Sequence, residues 1–501
     1  MARNTDRNSY SSIFKAIGLF GGTKVFQILI GIIKNKIVAV LLGPVGMGVN
    51  GLLTTNTGLI KSLTDLGLHT SAVRDVAKAY ETKDQKRIGT TIAILRKLVW
   101  LTGLLGALIV FLFAKELSVQ SFGNSDFTFA FQVVAITLLF DQVCVGQTVL
   151  MQGTFHYRYM ARSALLGSVV GLVISIPFYY LWGMDAIAPV IVITSLTHLL
   201  LSWYFSRRIP IEKVRVTPRE VLKGGKVMIT LGLAFALTGI LRYGKSYVTQ
   251  IFISGIGSID DVGLYTAGMT IATQYINVIL NAMGSDYSPR LSAIADQEGE
   301  FLQTMNRQNQ LMLTVIVPVI VAFIVLIKPL IVLLYSSKFL DLTGMVDWMM
   351  LGMFFRATSW CLSFAFIAKG ESKLFFWNEF ASACYGLVLL IAGYKLMRFE
   401  GLGIAYFLTY IIYTLQVYII CRKKYSFRYT SDNKRLIVIQ GCLVVIAFII
   451  LKVLGFSMWR YIVGGVILSG CLYYSYIKLD EMIPVRNMIS SIKGKLKFKR
   501  N

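Results

Sequence analysis

What most constrains this chain is a succession of apolar runs separated by short polar or basic stretches. A membrane-crossing helix needs about 20 mostly apolar residues, because each residue rises 1.5 Å and the hydrocarbon core is about 30 Å thick. In hydrocarbon every backbone N–H and C=O must find its partner inside the element, and a helix achieves this alone. The pattern predicts an all-α polytopic membrane protein with about fourteen transmembrane helices. The expected spans are residues 12–41, 45–67, 91–113, 127–151, 163–182, 185–205, 227–253, 259–283, 308–334, 345–368, 375–394, 402–421, 435–453 and 458–477. With 55% hydrophobic and only 15% charged residues, the chain carries far more apolar side chain than a soluble core of this length uses.

The net charge of +25 alone would suit a nucleic-acid partner, but its distribution argues otherwise. With the N-terminus placed in the cytoplasm, the two tails and the loops on that side hold 36 Lys or Arg. The opposite side holds six: Lys115, Lys338, Lys395, Arg398, Lys452 and Arg460. Such asymmetry in short loops is the positive-inside signal, and it requires an even number of spans with both termini cytoplasmic. Met1 to Ser12 is polar and the first apolar run is too long for a signal peptide, so the first helix is expected to stay in place. The six cysteines fall in or at the ends of spans without close spacing and read as small apolar packing residues. The three histidines lack ligand spacing, so no metal or other cofactor is expected.

A basic loop with Pro210 and Pro218 divides the spans. A shift of 216 residues carries Thr54, Lys61, Asp65 and Arg74 onto Thr270, Asn277, Asn281 and Arg290. The expected organisation is an N-lobe of six helices (1–206), a linker (207–226), a C-lobe of six (227–421), and two added helices with a basic tail (422–501). Since six is even, the lobes form a parallel pseudo-repeat about an axis along the membrane normal.

A Lys or Arg at the bilayer centre costs about 2.5 to 3.5 kcal/mol on insertion scales, so charges inside spans should face protein or water. Lys24, Gln27, Gly31 and Lys34 share one face of the first span, and Asn50, Thr54, Thr57, Lys61 and Asp65 share one stripe of the second. Further polar positions are Asp141 in the fourth span, Thr270, Gln274 and Asn277 in the eighth, Arg356 in the tenth, and Glu379 in the eleventh. Such stripes line a water-filled cavity, and their excess of cations points to an anionic cargo, phosphate first among them. The candidate cavity cations are Lys24, Lys61, Arg242, Lys245 and Arg356. Asp65, Asp141, Asn277 and Glu379 are candidates for ion coupling, with a proton or sodium, or for sugar contact. Lys61 and Asp65, one turn apart, read equally well as a local ion pair.

Gly239-Ile-Leu-Arg-Tyr-Gly-Lys-Ser246 matches the P-loop pattern by letter. It lies inside a long apolar run, where helical N–H groups are already bonded and no loop can cradle a phosphate. Arg242 and Lys245 are therefore taken as two cavity cations, and nucleotide binding is not expected.

The segment Lys36-Ile-Val-Ala-Val-Leu-Leu-Gly-Pro-Val-Gly-Met-Gly-Val-Asn-Gly51, continued by Asp65-Leu-Gly-Leu, resembles the turn between the first two helices of the Wzx-type polysaccharide flippases. These are O-antigen translocases of the multidrug, oligosaccharidyl-lipid and polysaccharide exporter superfamily. The resemblance implies a non-enzymatic carrier of a bacterial inner (plasma) membrane. Such a carrier moves an undecaprenyl-pyrophosphate-linked oligosaccharide from the cytoplasmic to the periplasmic leaflet by alternating access. It also implies that Lys24, Lys61, Arg242 and Arg356 attract the pyrophosphate, and that the bilayer and polysaccharide polymerase machinery are partners. A drug/cation antiporter and a lipid II flippase are rival readings within the superfamily. A polytopic polymerase or ligase would need a sizeable extracytoplasmic loop, and the longest expected one, about 114 to 126, is short.

Overall fold

The computed structural model describes residues 23, 25–455 and 457–482, and among them there is no strand. Helix α1 covers residues 25–41. It is followed by α2 (Gly43–Thr64), α3 (Leu68–Glu81), α4 (Gln85–Leu112), α5 (Ala114–Phe122), α6 (Thr128–Gly153), α7 (Tyr157–Trp182), α8 (Ile187–Ser206) and α9 (Pro218–Ile256). Then come α10 (Ile259–Met269), a π-helical turn (Thr270–Gln274), α11 (Tyr275–Ala293), α12 (Glu298–Leu334), α13 (Thr343–Ala368), α14 (Ser372–Tyr425), α15 (Ser431–Val453) and α16 (Met458–Met482).

Eight helical stretches among the described residues are long and apolar enough to cross a bilayer. Two of them each contain two spans. In Tyr157–Ser206 the chain reverses at Gly183, with φ +55, so that α7 and α8 lie antiparallel. In α14 it reverses at Met397 and Arg398, which leave helical geometry, and a Cβ at Gly401 would lie 1.9 Å from the Gly393 carbonyl oxygen across the hairpin. Helix α9 bends by 62° between Thr230 and Phe235. Helix α2 and the α10–α11 stretch are not among these eight, and both carry the polar stripes. The helix count is compatible with the fourteen spans expected, and the chain is a multi-pass membrane protein.

Helices cannot gain much hydrophobic energy by associating in lipid, so close approach depends on small residues. Gly43 takes φ +68 to turn the chain out of α1, and Pro44 occupies the first turn of α2, where a missing N–H costs nothing. A Cβ at Gly48 would lie 2.1 Å from the Ile259 carbonyl oxygen, and one at Gly263 would lie 1.9 Å from that of Pro44. Backbone contact between α2 and α10 is thus possible only with these glycines. Gly67, at φ +66 between α2 and α3, meets Gly232 of α9 in the same way, 2.0 Å from its carbonyl oxygen. Outside the apolar spans, α3 is amphipathic and buries Leu68, Ala72, Val76 and Ala79 against Ile88, Ile92 and Leu95 of α4 and Leu150 of α6.

The described residues form two compact units. The first runs to Thr266 and includes Leu334–Lys338, and the second comprises Ala267–Leu333 and the chain from Phe339. This division by compactness differs from the division by duplication at 207–226. Helix α9 groups with the first unit because it packs on α2, α3 and α4, and because Tyr247 and Ser254 hydrogen-bond to Gln120 and Ser121 of α5. In the second unit, Arg460 of α16 is buried and donates to the carbonyl oxygens of Leu451 (2.8 Å) and Ile324 (2.7 Å), with Asp347 at 3.7 Å. One guanidinium thereby joins α12, α13, α15 and α16. Of the cysteines, Cys361, Cys421 and Cys471 are packed inside as expected, whereas Cys384 and Cys442 face outward.

Candidate functional site

Within the first unit, α1, α2, α6, α8 and α9 enclose a cavity of about 320 Å³. Its centre is a three-helix contact. Lys61 of α2 places Nζ 2.9 Å from Asp141 Oδ2 on α6, and Ser195 of α8 donates its hydroxyl to Asp141 Oδ1 at 2.5 Å. The paired side chains keep 33% and 40% of their surface exposed, so the ion pair stands in water rather than in sealed protein. Around it lie Lys34, Thr54, Thr57, His198 and Tyr243. The hydroxyls of Thr54 and Thr57 are bonded to their own helix at Asn50 and Leu53, which leaves their lone pairs toward the cavity. A Cβ at Gly167 would come within 2.4 Å of His198 Nδ1, so α7 must offer glycine for the imidazole to lie where it does. Two lysines face one carboxylate in the lining, a cationic balance suited to an anionic group.

The second unit repeats the construction with the charges redistributed. Arg356 of α13 donates to Asn277 Oδ1 on α11 at 2.7 Å and to the Tyr406 hydroxyl on α14 at 3.3 Å, with the Tyr410 ring 5.7 Å away. Farther along α14, the Tyr413 hydroxyl donates to Glu379 and accepts from Asn378 at 3.1 Å, while Gln416 donates to Asn378 at 2.7 Å. The paired residues are 80 positions apart in the first unit and 79 in the second. The 216-residue shift carries Lys61 onto Asn277, and Asp141 onto the immediate neighbour of Arg356. The π-helical turn at Thr270–Gln274 precedes Asn277 and re-aims that face of α11.

The structure therefore brings Lys61 together with Asp141, and Asn277 with Arg356, while Glu379 lies in the polar cluster of α14. Asp65 does not pair with Lys61. It caps the end of α2, accepting from the Gly67 N–H at 2.8 Å with His69 at 3.4 Å, because the helix stops there and turns its carboxylate toward the bend. Arg242 is exposed on α9, its guanidinium 4.9 Å from the centre of the Tyr243 ring, and Lys245 is half-buried one turn along. Residues 239–246 are helical, so the P-loop resemblance has no loop to act through. Lys24 lies outside the described residues. Sequence reasoning missed Ser195, His198, Tyr406, Tyr410 and Tyr413. The three tyrosines recur at i, i+4 and i+7 on one helical face, a periodicity that the sequence carries and that could have marked them.

A lipid III flippase from Escherichia coli (strain K12) is 23% identical to this chain over 419 residues, covering 80% of this chain and 96% of that protein. The lipid III flippase of Shigella flexneri matches with the same figures. Among solved structures, the lipid II flippase MurJ in an inward closed conformation superposes with a TM-score of 0.71 at 13% identity, over 94% of this chain and 99% of that one. An inward-facing multidrug resistance MATE family transporter of the MOP superfamily gives a TM-score of 0.66 at 15% identity, over 80% and 94%. At such identities the two structures establish the fold and no more. The family of polysaccharide biosynthesis proteins matches residues 37–343, more than half of the length, and the chain belongs to that family.

Proposed function

We propose that this protein flips an undecaprenyl-pyrophosphate-linked oligosaccharide, an O-antigen or similar surface polysaccharide unit, across a bacterial inner membrane by alternating access. Both termini are cytoplasmic in this reading. The observation that carries it is the water-exposed cavity in which Lys34 and Lys61 face the single carboxylate of Asp141, inside a bundle of membrane-crossing helices. A cationic drug would favour carboxylates there, whereas a pyrophosphate finds a cation already aimed into water. The similarity to lipid III flippases supports a lipid-linked cargo, and in the second unit Arg356 supplies a further cation with polar neighbours. The carrier performs no covalent step. Asp141 and Glu379 are the carboxylates at which a coupling proton or sodium ion would act.

Depletion of the protein is expected to accumulate a lipid-linked glycan in the cytoplasmic leaflet, and extraction of that lipid names the cargo. Arg356→Ala, expressed at native level and reaching the membrane, is expected to abolish surface polysaccharide. Normal polysaccharide in that variant would remove Arg356 from the residues that act on the cargo. A change in drug susceptibility with no accumulated lipid-linked sugar would favour the antiporter.

A further inference from the structure

A second and larger cavity, of about 530 Å³, opens in the first unit between the middle of α4, the second half of α6, the end of α8 and the segment that follows α8. It lies apart from the Lys61–Asp141 cavity and shares no lining residue with it. Arg96 of α4, Arg207 at the end of α8 and Lys213 beyond it line this cavity, and no carboxylate does. Among the described residues none of the three forms an ion pair; the Arg207 guanidinium carbon lies over the Trp203 ring, 4.1 Å from its centre. Three cations in one pocket repel one another, and such an arrangement is tolerated where an anion completes it. The mouth is flanked by Trp100 and Trp203, exposed by 55% and 44%, residues that prefer the boundary between hydrocarbon and headgroups.

The wall formed by residues 209–216 is held in place. Ile209 and Val216 are buried in the core with Leu98 and Val99, and Lys97 Nζ donates to the Val216 carbonyl oxygen at 2.6 Å. A Cβ at Gly89 would lie 2.4 Å from the Glu212 carbonyl oxygen, so the segment rests directly on α4. The basic floor is thus built on packed structure rather than on free side chains in solvent.

We infer that this pocket binds the phosphate headgroup of an anionic phospholipid in the leaflet on the side of the basic loops, with Arg96, Arg207 and Lys213 holding the phosphate and Trp100 and Trp203 seating the glycerol and the first methylenes. The site is independent of the cargo reading: it holds a resident lipid whose bridge between α4, α8 and the linker steadies the entry into α9.

The test uses the full-length protein in nanodiscs and in detergent, with native mass spectrometry counting retained lipid. Phosphatidylglycerol, phosphatidylcholine, inorganic phosphate and inorganic pyrophosphate are offered separately. Phosphatidylglycerol is expected to be retained over phosphatidylcholine, and Arg96→Gln/Arg207→Gln is expected to weaken its retention about 30-fold, as for two cations at an anionic surface. Arg422→Gln/Lys423→Gln, which removes two cations elsewhere on the basic side, is expected to leave retention unchanged. Lys213→Gln gives a smaller loss and guards against misfolding of the double variant. Equal retention of both lipids, equal loss in the control variant, or displacement of phosphatidylglycerol by inorganic phosphate or pyrophosphate at equal concentration would overturn the lipid assignment. Loss of lipid retention with surface polysaccharide intact would separate this site from the cargo site.

Discussion

Replacing Asp141 by alanine separates two views of the Lys61–Asp141 pair, one in which it merely ties α2 to α6 and one in which it holds Lys61 in reserve for an anion. At 2.9 Å the Coulomb attraction is about 1.4 kcal/mol in bulk water and about 6 kcal/mol at an effective dielectric constant of 20. Exposures of 33% and 40% place the pair toward the wet end of that range, and desolvation offsets part of the remainder. A net coupling of about 1 to 2 kcal/mol follows. If the cargo is the pyrophosphate proposed above, it must displace Asp141 to reach Lys61, so Asp141→Ala is expected to tighten inorganic pyrophosphate binding by about tenfold, the equivalent of 1.4 kcal/mol. Lys61→Ala is expected to weaken it, and removing Asp141 in the Lys61→Ala background is expected to gain less than it does in the native protein, since only the repulsion of the anion, and no competition for the lysine, is then relieved. Calorimetric titration of purified protein with pyrophosphate, run as a double-mutant cycle, reads all three. Weaker binding in Asp141→Ala, or a coupling below about 0.3 kcal/mol, would refute the competition.

Three further outcomes concern stability, read by thermal melting of detergent-solubilised protein. Gly67→Ala is expected to cost at least about 2 kcal/mol, because alanine disfavours φ +66 and its methyl would collide with the Gly232 backbone, whereas Gly183→Ala, in open space at φ +55, should cost about 1 kcal/mol. Arg460→Ala is expected to cost about 3 to 5 kcal/mol, since it strands Asp347 in the interior and removes the donor to the Leu451 and Ile324 carbonyl oxygens. Glu400, in the turn of the α14 hairpin, accepts from Lys452 and from Trp348 Nε1, which holds its carboxyl below the ordinary glutamate value. Its contribution is therefore complete above about pH 4.5 and is lost as the pH falls through the lower folded value; Glu400→Gln should flatten that acid-side decline in melting temperature.

Much of the architecture was legible in the amino-acid order because each membrane-crossing helix satisfies its own backbone and declares itself by a local run of apolar residues. The hairpin inside α14 and the reversal after α7 fell where Gly and charged residues interrupt those runs. Lys61, Asp141, Asn277 and Arg356 were also identifiable one by one, as polar groups in segments where such groups are costly. Their partners were not. Lys61 had Asp65 one turn away on its own helix, and local spacing favoured that pair; the folded chain instead ends α2 at Asp65, uses the carboxylate as a cap, and gives Lys61 to Asp141, 80 residues distant. Ser195 and Tyr406 joined these sites unseen, because a hydroxyl in a span satisfies itself on its own helix as readily as on another. Local physics determined which segments become helices and which residues in them need explaining. Which faces meet was decided only in three dimensions, where glycines at 48, 67, 167 and 263 set how closely particular helices approach and so which charge finds which partner.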